Sequence, residues 1–155
     1  GQDYPNLAVS EVLVRLTEFD VPSAKVEEAS TASEGHVADS MIDGNARSFW
    51  ATGEEAPSFE VEASGFGLSS IGIQAGPRTH ARPQRVRLSA NGRQAEYTVE
   101  DNNTLQWFEV APLTGYTGSA WGNVMVEILE TYEGSQSTEV AVSEIKARAT
   151  NYEGL

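Results

Sequence analysis

The chain has 155 residues, 23 acidic against 10 basic side chains, a formal net charge of −13 and no cysteine. Its length suits one domain with a core that stands without covalent staples, and the missing cysteines exclude both a disulfide framework and a thiolate metal site. The negative field disfavours nucleic acid and anionic lipid surfaces, and no run nears the roughly 18 apolar residues of a membrane span, so neither nucleic-acid binding nor membrane insertion is expected.

Residues 1–20 are expected to form an N-terminal strand or linker extension ahead of a main domain over residues 21–150. Within the extension, "SEVLVRL" sets Val12, Val14 and Leu16 on one face and Leu13 and Arg15 on the other. "LAVSEV" at residues 7–12 echoes "VAVSEI" at residues 140–145. Two similar strands explain this. So does a preceding copy that ends at residue 20, or a strand added to this sheet. Pro22 then favours an extended or turned entry into the domain.

Next comes "GHVADSMID", which fits one helical turn with Val37, Ala38 and Met41 on a shared face. "DSMIDGNARSFWAT" follows as a turn rich in oxygen atoms that closes on two aromatics entering a strand. Of these, Trp50 suits the core, because a Trp at a strand start is usually buried for its area. Downstream, "PSFEVEA" alternates Phe59 and Val61 against Ser58, Glu60 and Glu62. "SSIGIQAG", "QRVRLSANG", "AEYTVED", "LQWFEVAPL", "GNVMVEILETY" and "TEVAVSEIKARA" behave likewise. Asn91-Gly92 between two such runs marks a hairpin. Short period-2 segments punctuated by turns predict an all-β antiparallel sandwich or barrel. Its core should hold Trp50, Phe59, Val61, Ile71, Ile73, Val86, Leu88, Val99, Val124, Val126, Ile128 and Ile145. Trp107 and Phe108 are adjacent in a strand and face opposite ways, so one is less buried unless residues 1–20 cover it.

Catalytic material is scarce. The only histidines are His36 and His80, neither in a nucleophile motif. His36, after Gly35, suits an exposed turn. Two distant histidines do not make a zinc site, no phosphate-cradling glycine loop is present, and nothing selects a glycosidase pair, Glu54 included, among the scattered carboxylates. The chain is expected not to be an enzyme.

Binding has better material. Residues 75–85 gather Arg78, His80, Arg82 and Arg85 into one loop, and residues 113–123 form a Gly-rich loop with Tyr116 and Trp121. Aromatic faces pack on sugar C–H groups, while planar polar groups grip hydroxyls. Bidentate arginines also suit an acidic glycan or a carboxylate terminus. Arg78, His80, Arg82, Tyr116 and Trp121 are therefore the candidate ligand residues. Two plainer readings stay open: a solvated basic hairpin paired with surrounding acids, and a buried Trp121 that begins the next strand.

The order "VEEASTAS…VADSMIDGNARSFWAT…PSFEVEA" resembles the N-terminal half of discoidin-like domains, the coagulation-factor C-type and galactose-binding-like sandwiches. The C-terminal half is similar to the bacterial branch called NADase-type glycan-binding. There an Ile-x-x-x-Tyr-x-Gly segment precedes a closing Ser-Glu-Ile strand, as Ile128, Tyr132, Gly134 and Ser143-Glu144-Ile145 do here. The likeness spans residues 21–149. It implies an antiparallel jelly-roll β-sandwich and binding rather than catalysis. It also implies a structural Ca²⁺, which takes six to eight hard oxygens. The ligands would be the carboxylates of Asp43 and Glu144, the carbonyls of Met41 and Asn45, and an oxygen of Ser48, where the family usually has Thr. The alternative is that Asp43-Gly44 only makes a tight turn, Asp43 bonding local amides.

The expected function is a non-catalytic carbohydrate-binding module. It would tether a secreted or cell-surface bacterial protein, as part of a longer chain, to a glycan or polysaccharide. The alternative is a protein–protein assembly module of a larger surface protein, motivated by the "LAVSEV" echo.

Overall fold

The computed structural model describes residues 14–63, 67–114 and 123–154. Among these residues two antiparallel sheets face each other, the layer arrangement of a jelly-roll sandwich. One sheet runs β1 (Val14–Asp20), β10 (Val140–Gly154), β5 (Leu68–Ala75) and β8 (Gln106–Glu109), with β3 (Trp50–Thr52) also paired to β10. The other runs β2 (Lys25–Glu27), β4 (Ser58–Glu62), β9 (Val124–Tyr132), β6 (Arg82–Ala90) and β7 (Arg93–Thr98).

Period-2 alternation builds the core directly. Register places Phe59 opposite Val126, Val61 opposite Val124 and Val86 opposite Ile128, so one face of β4, β9 and β6 is continuously apolar. From the other sheet Ile73 pairs with Ile145 and Ile71 with Ala147. All twelve core residues expected from the sequence are buried. Trp50 lies between the sheets, its ring edge-on to Phe59 at 5.5 Å and its indole N–H donating to the Ser30 carbonyl at 3.3 Å. The hairpin at Asn91-Gly92 is present, with φ values of 54° and 75°. Both central residues of a type I′ turn need positive φ, which Asn tolerates and Gly adopts freely.

One helical turn does form, a 3-10 helix over Ala38–Ile42. Met41 is fully buried and Ala38 packs against the core, but Val37 is 56 % exposed. Val37 is extended, at φ −70° and ψ 159°, so it precedes the helical turn and does not share its face.

β1 pairs with β10 along its whole length, Asp20 lying opposite Arg148. Its acids settle the Trp107–Phe108 question. Phe108 turns inward and is buried, while Trp107 lies under the Arg148 guanidinium, 3.8 Å from the ring centroid. Arg148 is held there by Asp20 at 3.0 Å and Glu18 at 4.0 Å. Arg148 of β10 thus covers the outer aromatic through a cation–π contact, and the extension supplies the acids that hold it there. Residues 7–12, which carry the echo, lie outside the described residues.

β10 is also irregular where it matters. Between Val142 and Glu144 its register against β5 slips by one residue. A bulge of this kind re-aims side chains, and here Val142, Ser143, Glu144 and Ile145 are all buried in succession. From Glu144 onward the register is regular, Glu144 opposite Gln74 and Ile145 opposite Ile73, so Glu144 shares a face with Lys146, away from Ile145, and is buried there by the turn that carries Asp43.

Because Trp50 fills the space between the sheets, Trp50→Ala should cost about 3–5 kcal/mol by urea denaturation. Val37→Ala, on an exposed side chain, should stay within about 0.5 kcal/mol.

Candidate functional site

The turn that opens "DGNARSFW" is a ladder of Asx bonds. Asp43 Oδ1 accepts from the Asn45 amide at 2.9 Å, and Asn45 Oδ1 accepts from the Arg47 amide at 3.0 Å. Gly44 between them takes φ +74°, which favours glycine. The single proton of Ser48 Oγ is within reach of both Asp43 Oδ2 and the Asn45 carbonyl, the latter at 2.9 Å, which closes the loop. The ladder fixes the backbone at Arg47 and delivers Phe49 and Trp50 to opposite sides: Trp50 inward, Phe49 half-buried toward the loops.

At the base of this turn stands Glu144. It is 4 % exposed, and its Oε1 has no hydrogen-bond partner. Burial first, and then the charge of Asp43, push its carboxyl above the ordinary range. Asp43 moves the other way, held low chiefly by the Ser48 hydroxyl and the Asn45 amide. The structure therefore brings the two expected carboxylates together with Ser48 and the Asn45 carbonyl. Met41 is in the same turn with its side chain in the core. An orphaned buried carboxylate oxygen facing a second carboxylate, with hydroxyl and carbonyl oxygens nearby, fits the donor chemistry of a hard divalent cation. Among the described residues no third His, Cys, Asp or Glu joins them, so a cation here would depend on carbonyl and hydroxyl oxygens.

On the other side of the turn lies an open pocket of about 420 Å³. Its walls include Arg47 and Phe49 from the turn, Gln74 from β5, Arg78 from the loop after β5, Asn103, and Ser143 at the bulge. The Gln74 amide donates to the Asn103 carbonyl at 2.9 Å, which ties the two walls together. Behind Phe49 is an aromatic cluster: His36 stacks on it at 4.1 Å and His80 meets it edge-on at 4.9 Å. His36 is thus half-buried against a ring, not an exposed turn residue. Burial, and then the neighbouring His36, lower the His80 pKa, so His80 is neutral at pH 7.

Arg82 has a different role from the one expected. Its side chain is only 6 % exposed, and all five N–H donors are used. Nε and Nη2 reach Asp101 at 3.1 and 3.4 Å, Nη1 bonds the carbonyls of Arg78 and His80, and Nη2 also reaches the Glu133 carbonyl. Arg82 holds the loop in place and has no donor left for a ligand. Arg78, by contrast, has a 60 % exposed side chain and two long contacts to the same Asp101, one to its carboxylate at 3.4 Å and one to its carbonyl at 3.3 Å. Tyr116 and Trp121 lie outside the described residues.

Gly134 explains the Tyr-x-Gly pattern. A Cβ there would fall 2.5 Å from the His80 carbonyl carbon and 2.7 Å from the Ala81 nitrogen. Without one, the segment after β9 docks on the basic loop, Ser135 and Ser137 donating to Arg78 and Thr79 carbonyls at 3.0 and 2.8 Å. Tyr132 anchors the same corner through its hydroxyl to the Val99 carbonyl at 2.7 Å.

Sequence reasoning passed over Arg47, Gln74 and Asn103, read His36 as an exposed turn residue and favoured the core over a ligand platform for the Phe49–Trp50 pair. A signal did exist for Arg47 and Phe49. Asx residues at positions 43 and 45 bond amides two residues on, which presents the next alternate residues, Arg47 and Phe49, on one side.

No protein-family model matches the chain and no curated protein matches it. Solved structures do. The family 32 carbohydrate-binding module of Clostridium perfringens NanJ, solved with galactose, superposes with a TM-score of 0.64 at 20 % identity, covering 85 % of this chain and 99 % of that one. CpGH89CBM32-5 from Clostridium perfringens, solved with GalNAc-β-1,3-galactose, gives 0.64 at 16 % identity, covering 83 % and 99 %. A family 89 glycoside hydrolase from Clostridium perfringens gives 0.58 at 18 % identity, with 85 % of this chain matching 15 % of the enzyme. At such identities the likeness establishes the discoidin-like, galactose-binding-like fold.

The pKa shifts give a signed expectation for the apo protein. Glu144 binds its proton more tightly folded than unfolded, so its ionisation costs stability as pH rises above 4.5. In chelator at pH 7, Glu144→Gln should therefore melt higher than the parent, with the difference closing below pH 4.5. Calorimetric melts across pH check it.

Proposed function

We propose that this domain is a non-catalytic carbohydrate-binding module that tethers a secreted or cell-surface bacterial protein to a glycan. The observation that carries this reading is the pocket between the Asp43–Ser48 turn and the Arg78 loop. It combines an aromatic ring with guanidinium and amide groups, the combination that grips a sugar's C–H face and its hydroxyls. In the proposed complex the half-buried ring of Phe49 packs on the pyranose face. Arg78, Gln74 and Asn103 bond hydroxyls from the sides, and Arg82 keeps the Arg78 loop rigid. Among the residues that line the pocket there is no Asp or Glu, so the pair of carboxyls that glycoside hydrolysis uses is lacking there. The sugars bound by NanJ and CpGH89CBM32-5 modules, and the presence of this fold within a larger hydrolase, support the tethering role.

A calcium ion belongs to the same proposal. Asp43 and Glu144 would hold it with the Ser48 oxygen and the Met41 and Asn45 carbonyls. Bound there, it neutralises the two carboxylates and ties the turn to β10. The chain's own share is to hold the turn so that Arg47 and Phe49 face the pocket.

Affinity electrophoresis through a panel of immobilised polysaccharides tests the function. Retention on at least one, weakened tenfold or more by Arg78→Ala with no change in the melting curve, is the expected result; no retention on any would refute it. For the metal, the melting temperature should be higher in calcium than in chelator, by the equivalent of about 2.7 kcal/mol at a hundredfold excess over Kd. Asp43→Ala should abolish that gain.

A further inference from the structure

We infer that the glycan held in this pocket ends in a single carboxylated sugar, a uronic-acid type residue whose carboxylate is gripped by Arg47 and Arg78. The inference rests on the glycan-binding reading above and adds the class of sugar.

The charge arrangement carries it. In a chain of net charge −13, the arginines are mostly neutralised. Arg85 pairs with Glu96 and Glu130, Arg87 with Glu96 and Glu127, and Arg148 with Glu18 and Asp20. Arg93 bonds the Pro112 carbonyl. Around the pocket the balance reverses. Arg78 and Arg82 share one carboxylate, Asp101, and Arg82 occupies both of its oxygens. That trio has a net charge of +1. Arg47 adds another: among the arginines whose side chains are described it is the one with no side-chain hydrogen bond or ion pair, and it is exposed on the pocket wall. Among the described residues no carboxylate lines the same space.

Two guanidiniums facing one cavity without an acid between them suit a planar anion, because their paired N–H groups match the two oxygens of a carboxylate. A neutral sugar would leave Arg47 without a partner. The remaining walls fit the sugar ring itself, with Phe49 for its C–H face and the Gln74 and Asn103 amides for hydroxyls. The overall negative field argues against a densely charged polyanion, whose other groups would lie over acidic surface. A single terminal carboxylate meets only the local positive patch, since screening confines each charge to about 8 Å at physiological ionic strength.

The test is calorimetric titration at ~0.15 M salt with matched methyl glycosides of galacto, gluco and manno configuration. Each pair differs only in a carboxylate or a hydroxymethyl at C6. At least one acid should bind tenfold or more tightly than its neutral partner, and Arg47→Gln should erase that advantage while the melting curve stays where it was. Arg93→Gln, remote from the pocket, should leave it intact. Neutral partners binding as tightly as the acids would overturn this inference and leave the glycan-binding function standing. Failure of every glycoside, together with no retention on any polysaccharide, would overturn both. Free acetate competing as well as the sugar acids would mark a simple anion site and refute the sugar.

Discussion

Glu144 lies on the face of β10 that carries Lys146, and it is buried because the Asp43 turn packs over that face. A carboxylate thereby stands beside Asp43, and the first long turn of the domain is joined to its last strand. Burial raises the cost of ionising Glu144, and the charge of Asp43 raises it further. A fold that carries such a cost gains something in return only if the turn has to be held. Here the turn holds Arg47 and Phe49 at one wall of the pocket, and Ser143, the extra residue of the β10 register slip, lines the same pocket. The turn thus faces Glu144 on one side and the pocket on the other.

The opposite wall is held by a second device of the same kind. Arg82 spends every donor on Asp101 and three backbone carbonyls, and Gly134 lets the segment after β9 approach the same loop closely. Loop backbone that cannot pair with a sheet must find other partners, and a buried guanidinium satisfies several carbonyls at once. The result is a rigid basic loop on which Arg78 is left exposed. The division of labour between two arginines four residues apart follows from burial alone: the inner one fixes geometry, and the outer one faces solvent.

The outer face of the β5–β8 sheet shows how the N-terminal strand contributes. Trp107 cannot enter the core, because its neighbour Phe108 does. Arg148 covers it, and Glu18 and Asp20 hold Arg148 over the ring. These ion pairs are partly exposed and individually contribute little. Their effect is geometric, keeping a large aromatic from presenting an open apolar face.

Much of this protein is decided by local pattern. Alternation in "PSFEVEA", "QRVRLSANG" and "GNVMVEILETY" assigns the strands and names their inward residues, because a strand's period of two forces the choice. Asn91-Gly92 specifies its hairpin because few residues tolerate positive φ. The Asp-Gly-Asn turn and its meeting with Glu144 are legible through the resemblance those residues bear to discoidin-like domains. What sequence does not decide is which charges are consumed. Arg78 and Arg82 look equivalent in "AGPRTHARPQR", yet only folding brings Asp101, nineteen residues past Arg82, between them and closes three carbonyls around Arg82 alone. His36 and His80 are 44 residues apart in the chain, and Phe49 brings them into one aromatic cluster. The pocket itself is drawn from four separate segments, so its positive balance emerges only when long-range pairing sets Arg47 and Arg78 on the walls of one pocket, with no acid among its described lining residues.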